Sequence, residues 1–313
     1  MRSAGGWDSP PDEPELRAIL RHVLPEAADS PIDLQSRAID VPSRHRHGMA
    51  FVGDYVVKFA WSRSASHLVL DQARLLAALG ALSIAVPVPI VVCPDPPLLI
   101  YRKMPGHPLP WTVRKAADSI VVERIGRQLG EILAHLHAPE VLLRLERAGI
   151  TLPPPLPQST PDRLRGSMFP LLDSARMEQA ERLVAMVEQI LAAPSSTAFL
   201  HGDFHGHNLL VSDDDLQVLG VVDFEESAAG DPAYDLRYLP ALAPTLDLLS
   251  VAMESYSVAS GRSLDRRRVF AWHVLTDLGD ALWRTEQGVE VVDGPLARRF
   301  DDLLVRLAAA GVE

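Results

Sequence analysis

The run His201-Gly202-Asp203-Phe204-His205-Gly206-His207-Asn208, with Val221-Val222-Asp223-Phe224-Glu225 downstream, constrains this chain more than any other stretch. The apolar approach Ala198-Phe199-Leu200 enters a loop of histidine, glycine and aspartate. Two short apolar segments, Leu209–Val211 and residues 217–222, then flank the acidic turn Ser212-Asp213-Asp214-Asp215. That pattern predicts a β-hairpin. Such a hairpin sets Asn208 roughly opposite Asp223 at its open end, because cross-strand neighbours sit ~5 Å apart. An amide oxygen and a carboxylate so placed suit Mg²⁺, a hard cation that takes oxygen ligands at ~2.1 Å. Asp203, on the loop entering the hairpin, becomes the candidate base.

His-x-Asp-x-x-x-x-Asn followed by Asp-Phe is the pattern of a phosphoryl-transfer loop and its metal carboxylate. It stands here with Gly230-Asp231-Pro232-Ala233-Tyr234-Asp235-Leu236. In these linked motifs the chain resembles the aminoglycoside phosphotransferase family, the antibiotic and choline kinase relatives of protein kinases, and the resemblance covers most of the chain. It implies that Asp203 orients and deprotonates an acceptor hydroxyl, that Asn208 and Asp223 hold Mg²⁺, and that His201 braces the loop. It also implies an α+β, two-lobed protein-kinase-like fold. Residues 1–104 are expected to form a nucleotide-binding lobe with a five-stranded antiparallel sheet, and residues 105–313 a mainly helical catalytic and acceptor-binding lobe, with a hinge at about 101–106. Two rivals read the same loop differently. One is a polar surface loop without activity; the other takes His201, Asp203, His205 and His207 as ligands of a zinc hydrolase. The zinc reading leaves Asn208, the 230–236 segment and the lysine strand described below unexplained.

Composition narrows the class. With 313 residues, 47% of them hydrophobic and 23% charged, the chain is long enough for two lobes with cores of their own. The lone Cys93 cannot form an internal disulfide, which fits a reducing cytosol. No signal-peptide core is visible, and no run approaches ~20 apolar residues, so a cytoplasmic protein without a membrane partner is expected. A formal net charge of −11 argues against nucleic acid and reads either as a solvated acidic surface or as attraction for a cationic ligand.

Along the first lobe, residues 13–24 carry Leu16, Ile19, Leu20 and Val23 at helical spacing. Residues 33–41, 49–52 and Tyr55–Ala60 read as strands, with Gly53-Asp54 as the hairpin turn. Lys58, in Val56-Val57-Lys58-Phe59, resembles the kinase lysine that reaches the nucleotide phosphates. The connection at 42–48 holds one glycine where a glycine-rich loop belongs, and Arg44 and Arg46 stand there instead. On the helix expected at 65–79 the resemblance calls for a glutamate to pair with Lys58. Gln72 occupies that register, and Asp71 lies about 100° round the helix. The mismatch keeps open a nucleotide-binding descendant without activity. Strands at 87–93 and 98–104 complete the sheet. The resemblance then makes the carbonyl of Arg102 and the N–H of Met104 the adenine contacts, with Tyr101 behind the pocket.

In the second half, helices are expected at 113–137 and 174–191, around a proline-rich loop at 152–162. His137 reads as a packed or capping residue, Asp231 as an N-cap and Asp235 as structural. The last helices carry Trp272, Asp277, Asp280, Trp283 and Glu286, where the resemblance puts part of the acceptor pocket, with Glu225 and Glu226 as the other acidic candidates; Trp272 and Trp283, at helical spacing, also read as core. The expected activity is transfer of the terminal phosphoryl group of ATP, or GTP, to a hydroxyl of a small molecule with Mg²⁺. An aminoglycoside or other cationic antibiotic leads as acceptor, ahead of choline, homoserine or a sugar.

Overall fold

Asp12 accepts the Glu15 N–H at 2.9 Å while the Glu15 carboxylate accepts the Asp12 N–H, a capping box that starts α1 (Glu13–Val23). The computed structural model describes residues 7, 9–35, 46–82, 85–109, 118–243, 245–289 and 294–312. The chain divides into two units. The first takes Met1–His107, Leu143–Thr151 and Leu219–Glu225; the second takes Pro108–Leu142, Leu152–Val218 and Glu226–Glu313.

In the first unit, β1 (Ile32–Leu34), β2 (His47–Val52), β3 (Tyr55–Ala60), β4 (Pro89–Pro94) and β5 (Pro97–Arg102) form an antiparallel sheet in the order β1-β2-β3-β5-β4. The first strand is shorter than expected, and residues 36–45, Arg44 among them, lie outside the described residues. Gly53, at φ 55°, makes the β2–β3 turn in a region that glycine enters without a Cβ penalty. Leu16 and Leu20 of α1 pack with Ala50, Val52, Val57, Phe59, Leu98 and Ile100, so α1 covers one sheet face. On β4 the side chains alternate between half-buried and exposed. Prolines at both ends suit an edge strand, where a missing N–H costs no ladder bond. The helix α2 (Arg63–Leu79), capped by Ser62 on the Ala65 N–H, packs its apolar side against β3, β4 and β5.

In the second unit α3 (Ser119–Leu136) is started by the Asp118 cap; residues 110–117, where a longer helix was expected, lie outside the described residues. Next comes α4 (Pro139–Arg147), whose later residues belong to the first unit, and then α5 (Ser174–Ala192). Four short strands follow: β6 (Ala198–Leu200), β7 (Leu209–Val211), β8 (Val218–Val221), of which residues 219–221 belong to the first unit, and β9 (Ala228–Gly230). Strands β6 and β9 pair antiparallel, Leu200 opposite Ala228. Between β7 and β8 the Ser212 N–H donates to the Gln217 carbonyl at 2.9 Å and closes the acidic turn. The longer helices that follow are α6 (Asp247–Ser260), α7 (Arg266–Gln287) and α8 (Leu296–Ala309). Gly126 and Gly130 let α3 lie directly on α6: a Cβ at Gly130 would stand 2.3 Å from the Ala252 carbonyl oxygen. Among the described residues no helix is long and apolar enough to cross a membrane.

Candidate active site

Lys58 sits mid-strand on β3, opposite Met49 and Leu99, with its side chain almost wholly buried. Its ammonium donates to Glu225 Oε1 at 2.7 Å and Asp223 Oδ1 at 3.3 Å. Burial alone would lower the lysine pKa, but the Asp223 and Glu225 carboxylates outweigh it and hold the group above its ordinary value. This corrects the expected pairing with α2. Among the described residues Gln72 is buried with its Oε1 lacking a hydrogen-bond partner, and Asp71 pairs with Arg74 at 3.3 Å. A neutral amide offers no charge to an ammonium, and the carboxylates that do lie 165 and 167 residues away. Glu225 is thereby corrected from an acceptor contact to a partner of Lys58, with His47 Nε2 a further 3.6 Å from its other oxygen.

Asp223 is held at φ 65°, left-handed backbone that a non-glycine residue seldom adopts, a form of local strain that clusters at functional sites. Tyr101 is buried beside Lys58, and burial pushes its phenol pKa up. Arg102 is exposed and stacks its guanidinium on Tyr55, 5.4 Å from the ring centroid. The Met104 side chain fills the place a Cβ on Gly220 would take, 2.1 Å from the Met104 methyl carbon. Only glycine at 220 leaves that side chain its position.

In the second unit β6 delivers the chain to His201, whose ring is fully buried. Gly202 turns the loop at φ 86°, and a Cβ there would stand 1.8 Å from the Glu226 carbonyl oxygen. Asp235, fully buried in the 3-10 helix Pro232–Tyr238 that follows β9, clamps this turn. Its carboxylate accepts the His201 N–H at 2.8 Å and the Gly202 N–H at 2.9 Å, and lies 3.1 Å from His137 Nε2. Burial would raise the Asp235 pKa, but the His137 hydrogen bond, the nearby imidazoles and the amides keep it lowered. His201 in turn accepts the Asp203 N–H on Nδ1 at 3.2 Å. Glu226 itself is exposed at the loop's flank.

The Asp203 carboxylate is held on several sides. Tyr238 donates to Oδ1 at 2.9 Å, Asn208 Nδ2 to Oδ2 at 3.1 Å, and His205 Nε2 lies 3.0 Å from Oδ2. The Arg237 guanidinium stands 3.9 Å away, stacked between the rings of Tyr234 and Tyr238 and bonded to the Gly202 carbonyl. Burial would raise the Asp203 pKa, yet His205, Tyr238 and Arg237 together bring it well below the usual carboxylate range. The zinc reading finds no donor set. Among the described residues no group of three or more His, Cys, Asp or Glu is placed to hold a metal ion, and His205 Nδ1 accepts the His207 N–H.

Asp203 opens onto a cavity of about 1000 Å³ in the second unit, lined by residues of α7 and α8 together with Tyr238, His205 and His207. Asp277 and Asp280 reach it but are not open carboxylates. Arg299 lies 3.0 Å from Asp277 and 2.8 Å from Asp280, and Arg284 Nε is 3.0 Å from Asp280. Trp272 is corrected too: its indole N–H donates to Asp231 at 2.9 Å and its ring packs edge-on against Tyr234, so it supports the loop rather than a ligand. Sequence reasoning missed Tyr238, Arg237 and Arg299. Tyr238 follows Asp235 by three residues, so both face the loop from one turn of helix.

Residues 44–282 match the phosphotransferase enzyme family. Viomycin phosphotransferase of Streptomyces vinaceus is 30% identical over 205 residues, covering 62% of this chain and 70% of that protein. Among solved structures, wild-type aminoglycoside 2'-phosphotransferase-IIIa in its GDP complex superposes with a TM-score of 0.67 at 18% identity, over 96% of this chain and 99% of the other. A macrolide 2'-phosphotransferase from Brachybacterium faecium gives 0.59 at 22%, over 93% and 97%. A choline/ethanolamine kinase family protein from Mesorhizobium loti gives 0.62 at 18%, over 96% of each. At these identities the structural likeness speaks for the fold, which is the α+β protein-kinase-like one.

Proposed function

The chain belongs to the phosphotransferase enzyme family, and on that premise we propose that it moves the terminal phosphoryl group of ATP, with GTP as the other candidate donor, to a hydroxyl of a small antibiotic in the cytoplasm. The observation that carries this reading is Asp203, a carboxylate fixed by Tyr238, Asn208 and His205 at the mouth of a cavity large enough for such an acceptor.

In the reaction the acceptor oxygen bonds to the terminal phosphorus as the bond from that phosphorus to its bridging oxygen breaks, and the diphosphate departs. Asp203 accepts the hydroxyl proton. A carboxylate with a lowered pKa is a weak base, which suits a loose transition state in which the nucleophile loses its proton late and needs mainly to be aimed. Lys58 holds the phosphates once they replace its carboxylate contacts. The Arg102 carbonyl and Met104 N–H take the adenine edge, with Tyr101 behind it. Asn208 and Asp223 offer an amide oxygen and a carboxylate, the hard donors Mg²⁺ prefers, and Asn208 commits its Nδ2 to Asp203, leaving Oδ1 as the acceptor a cation could take. When bound, the metal neutralises charge on the phosphates.

The test is ATP consumption, with mass spectrometry of the product, against viomycin, aminoglycosides, macrolides, choline and homoserine, for the parent and Asp203→Ala. A phosphorylated antibiotic made by the parent, and lost ~10²–10⁴-fold in the variant with nucleotide binding intact, is expected. Phosphorylation confined to choline or homoserine overturns the antibiotic assignment, and equal turnover by the variant overturns the role of Asp203.

A further inference from the structure

The wall of the acceptor cavity carries as many arginines as aspartates among its described residues. A site for a polycation needs carboxylates that are open, and Asp277 and Asp280, the two expected acceptor carboxylates that line this cavity, are taken. One guanidinium, Arg299, bridges Asp277 and Asp280, and its side chain and that of Asp277 are nearly buried. An ammonium could reach these oxygens only by displacing a forked group with several hydrogen bonds.

Arg306, one turn before the end of α8, is in the opposite position. Its Nη1 lies 2.8 Å from His273 Nε2. The other ring nitrogen, Nδ1, lies 2.8 Å from the Arg237 carbonyl oxygen and must carry the hydrogen, so Nε2 presents a lone pair and the ring is neutral. Among the described residues no carboxylate lies within 4.0 Å of Arg306, which lines the cavity and whose charge reaches the buried Asp277 only through space. Arg306 thus brings to the wall a full positive charge, oriented by a neutral partner, with further N–H groups of its planar fork unspent.

We propose that the acceptor of this cavity carries a carboxylate as well as a hydroxyl, bound by Arg306, so that the substrate is a hydroxylated acid or zwitterion rather than a polycation. This rests on the cavity being the acceptor side of the phosphotransfer reading. Placing a planar carboxylate on a planar guanidinium fixes two points of the acceptor, and a fixed second point is what lets one hydroxyl among several be presented to Asp203.

The experiment separates binding from turnover. Melting of the full chain is followed with gluconate, with the neutral gluconamide, and with kanamycin, for the parent and for Arg306→Gln and Arg306→Lys. The acid is expected to stabilise the parent and the amide not, with the difference gone in Arg306→Gln and partly restored in Arg306→Lys. On any acceptor found in the panel that carries a carboxylate, amidation and Arg306→Gln should each raise KM about 30-fold or more, the lower end of what losing one partner of a buried charge pair costs. Equal stabilisation by acid and amide, stabilisation by kanamycin alone, or an acid effect that survives Arg306→Gln overturns the proposal. Absence of any phosphorylated product would instead fall on the phosphotransfer reading, since the melting arm does not depend on it.

Discussion

Replacing Asp235 by asparagine should uncouple the catalytic loop from its support. The carboxylate accepts two backbone N–H groups, those of His201 and Gly202, and meets the His137 imidazole, all buried. An asparagine has one acceptor oxygen and an NH₂ that is itself a donor. With the NH₂ turned toward Gly202, one buried N–H loses its acceptor, and turned the other way it opposes both His201 and His137. The better orientation costs about 1–3 kcal/mol for the orphaned donor. The two surviving bonds become neutral instead of charge-assisted, which adds ~1 kcal/mol. The total, about 2–4 kcal/mol, corresponds to a fall in Tm on the order of 10 °C for a body of this size. Because Gly202 leads directly into Asp203, kcat should also fall ~10- to 100-fold through misplacement of the base. Calorimetry and steady-state kinetics read the two effects. A variant that melts within about 1 °C of the parent and turns over at the same rate refutes the clamp.

Lys58→Met leaves Asp223 and Glu225 facing each other without their cation, and should lower kcat ~10²–10³-fold while the protein still melts near the parent temperature; a collapse in Tm with normal specific activity would make Lys58 structural. Gly130→Ala should destabilise by about 1–3 kcal/mol, since its Cβ meets the Ala252 carbonyl at 2.3 Å, whereas Gly166→Ala, with nothing within 4 Å, serves as the unstrained control in the same melting series. His273 has its pKa pushed down to about 4 by burial, with Arg306 adding to it against the raising effect of Asp277. The unfolded chain therefore binds a proton below pH ~6.5 that the folded chain refuses until about pH 4, and stability falls by about 3 kcal/mol as pH drops through that window; melting curves of His273→Asn should show a flatter acid dependence.

The sequence was most informative where local spacing decides geometry. Asn208 reaches Asp203 because five residues with a tight turn return the chain to itself, and a Gly-Asp doublet is enough to mark the β2–β3 hairpin. It was least informative where a charge finds its partner far along the chain. The lysine of β3 was matched to α2 by register, but its counter-charges came from Asp223 and Glu225. Asp277 read as an open carboxylate because nothing in its own helix reveals Arg299, which arrives on α8; Asp280 has Arg284 at i+4 in its own helix, but its second cation is again Arg299. Trp272 and Trp283 share a helix, yet one is fixed to Asp231 and the other is 48% exposed. Periodicity places a residue on a face; what that face meets is a property of the tertiary fold.

The left-handed backbone at Asp223 restricts which side chains can stand there. Glycine, asparagine and aspartate tolerate that region, while longer or β-branched side chains do so at a cost. Of the three only aspartate carries a charge. Glutamate, the nearest replacement in chemistry, is thus a poor one in conformation, and the replacements that keep the fold are those that silence the carboxylate. A lineage drifting at this position would lose its chemistry while keeping its shape, and would leave behind folded, inactive descendants rather than unstable ones.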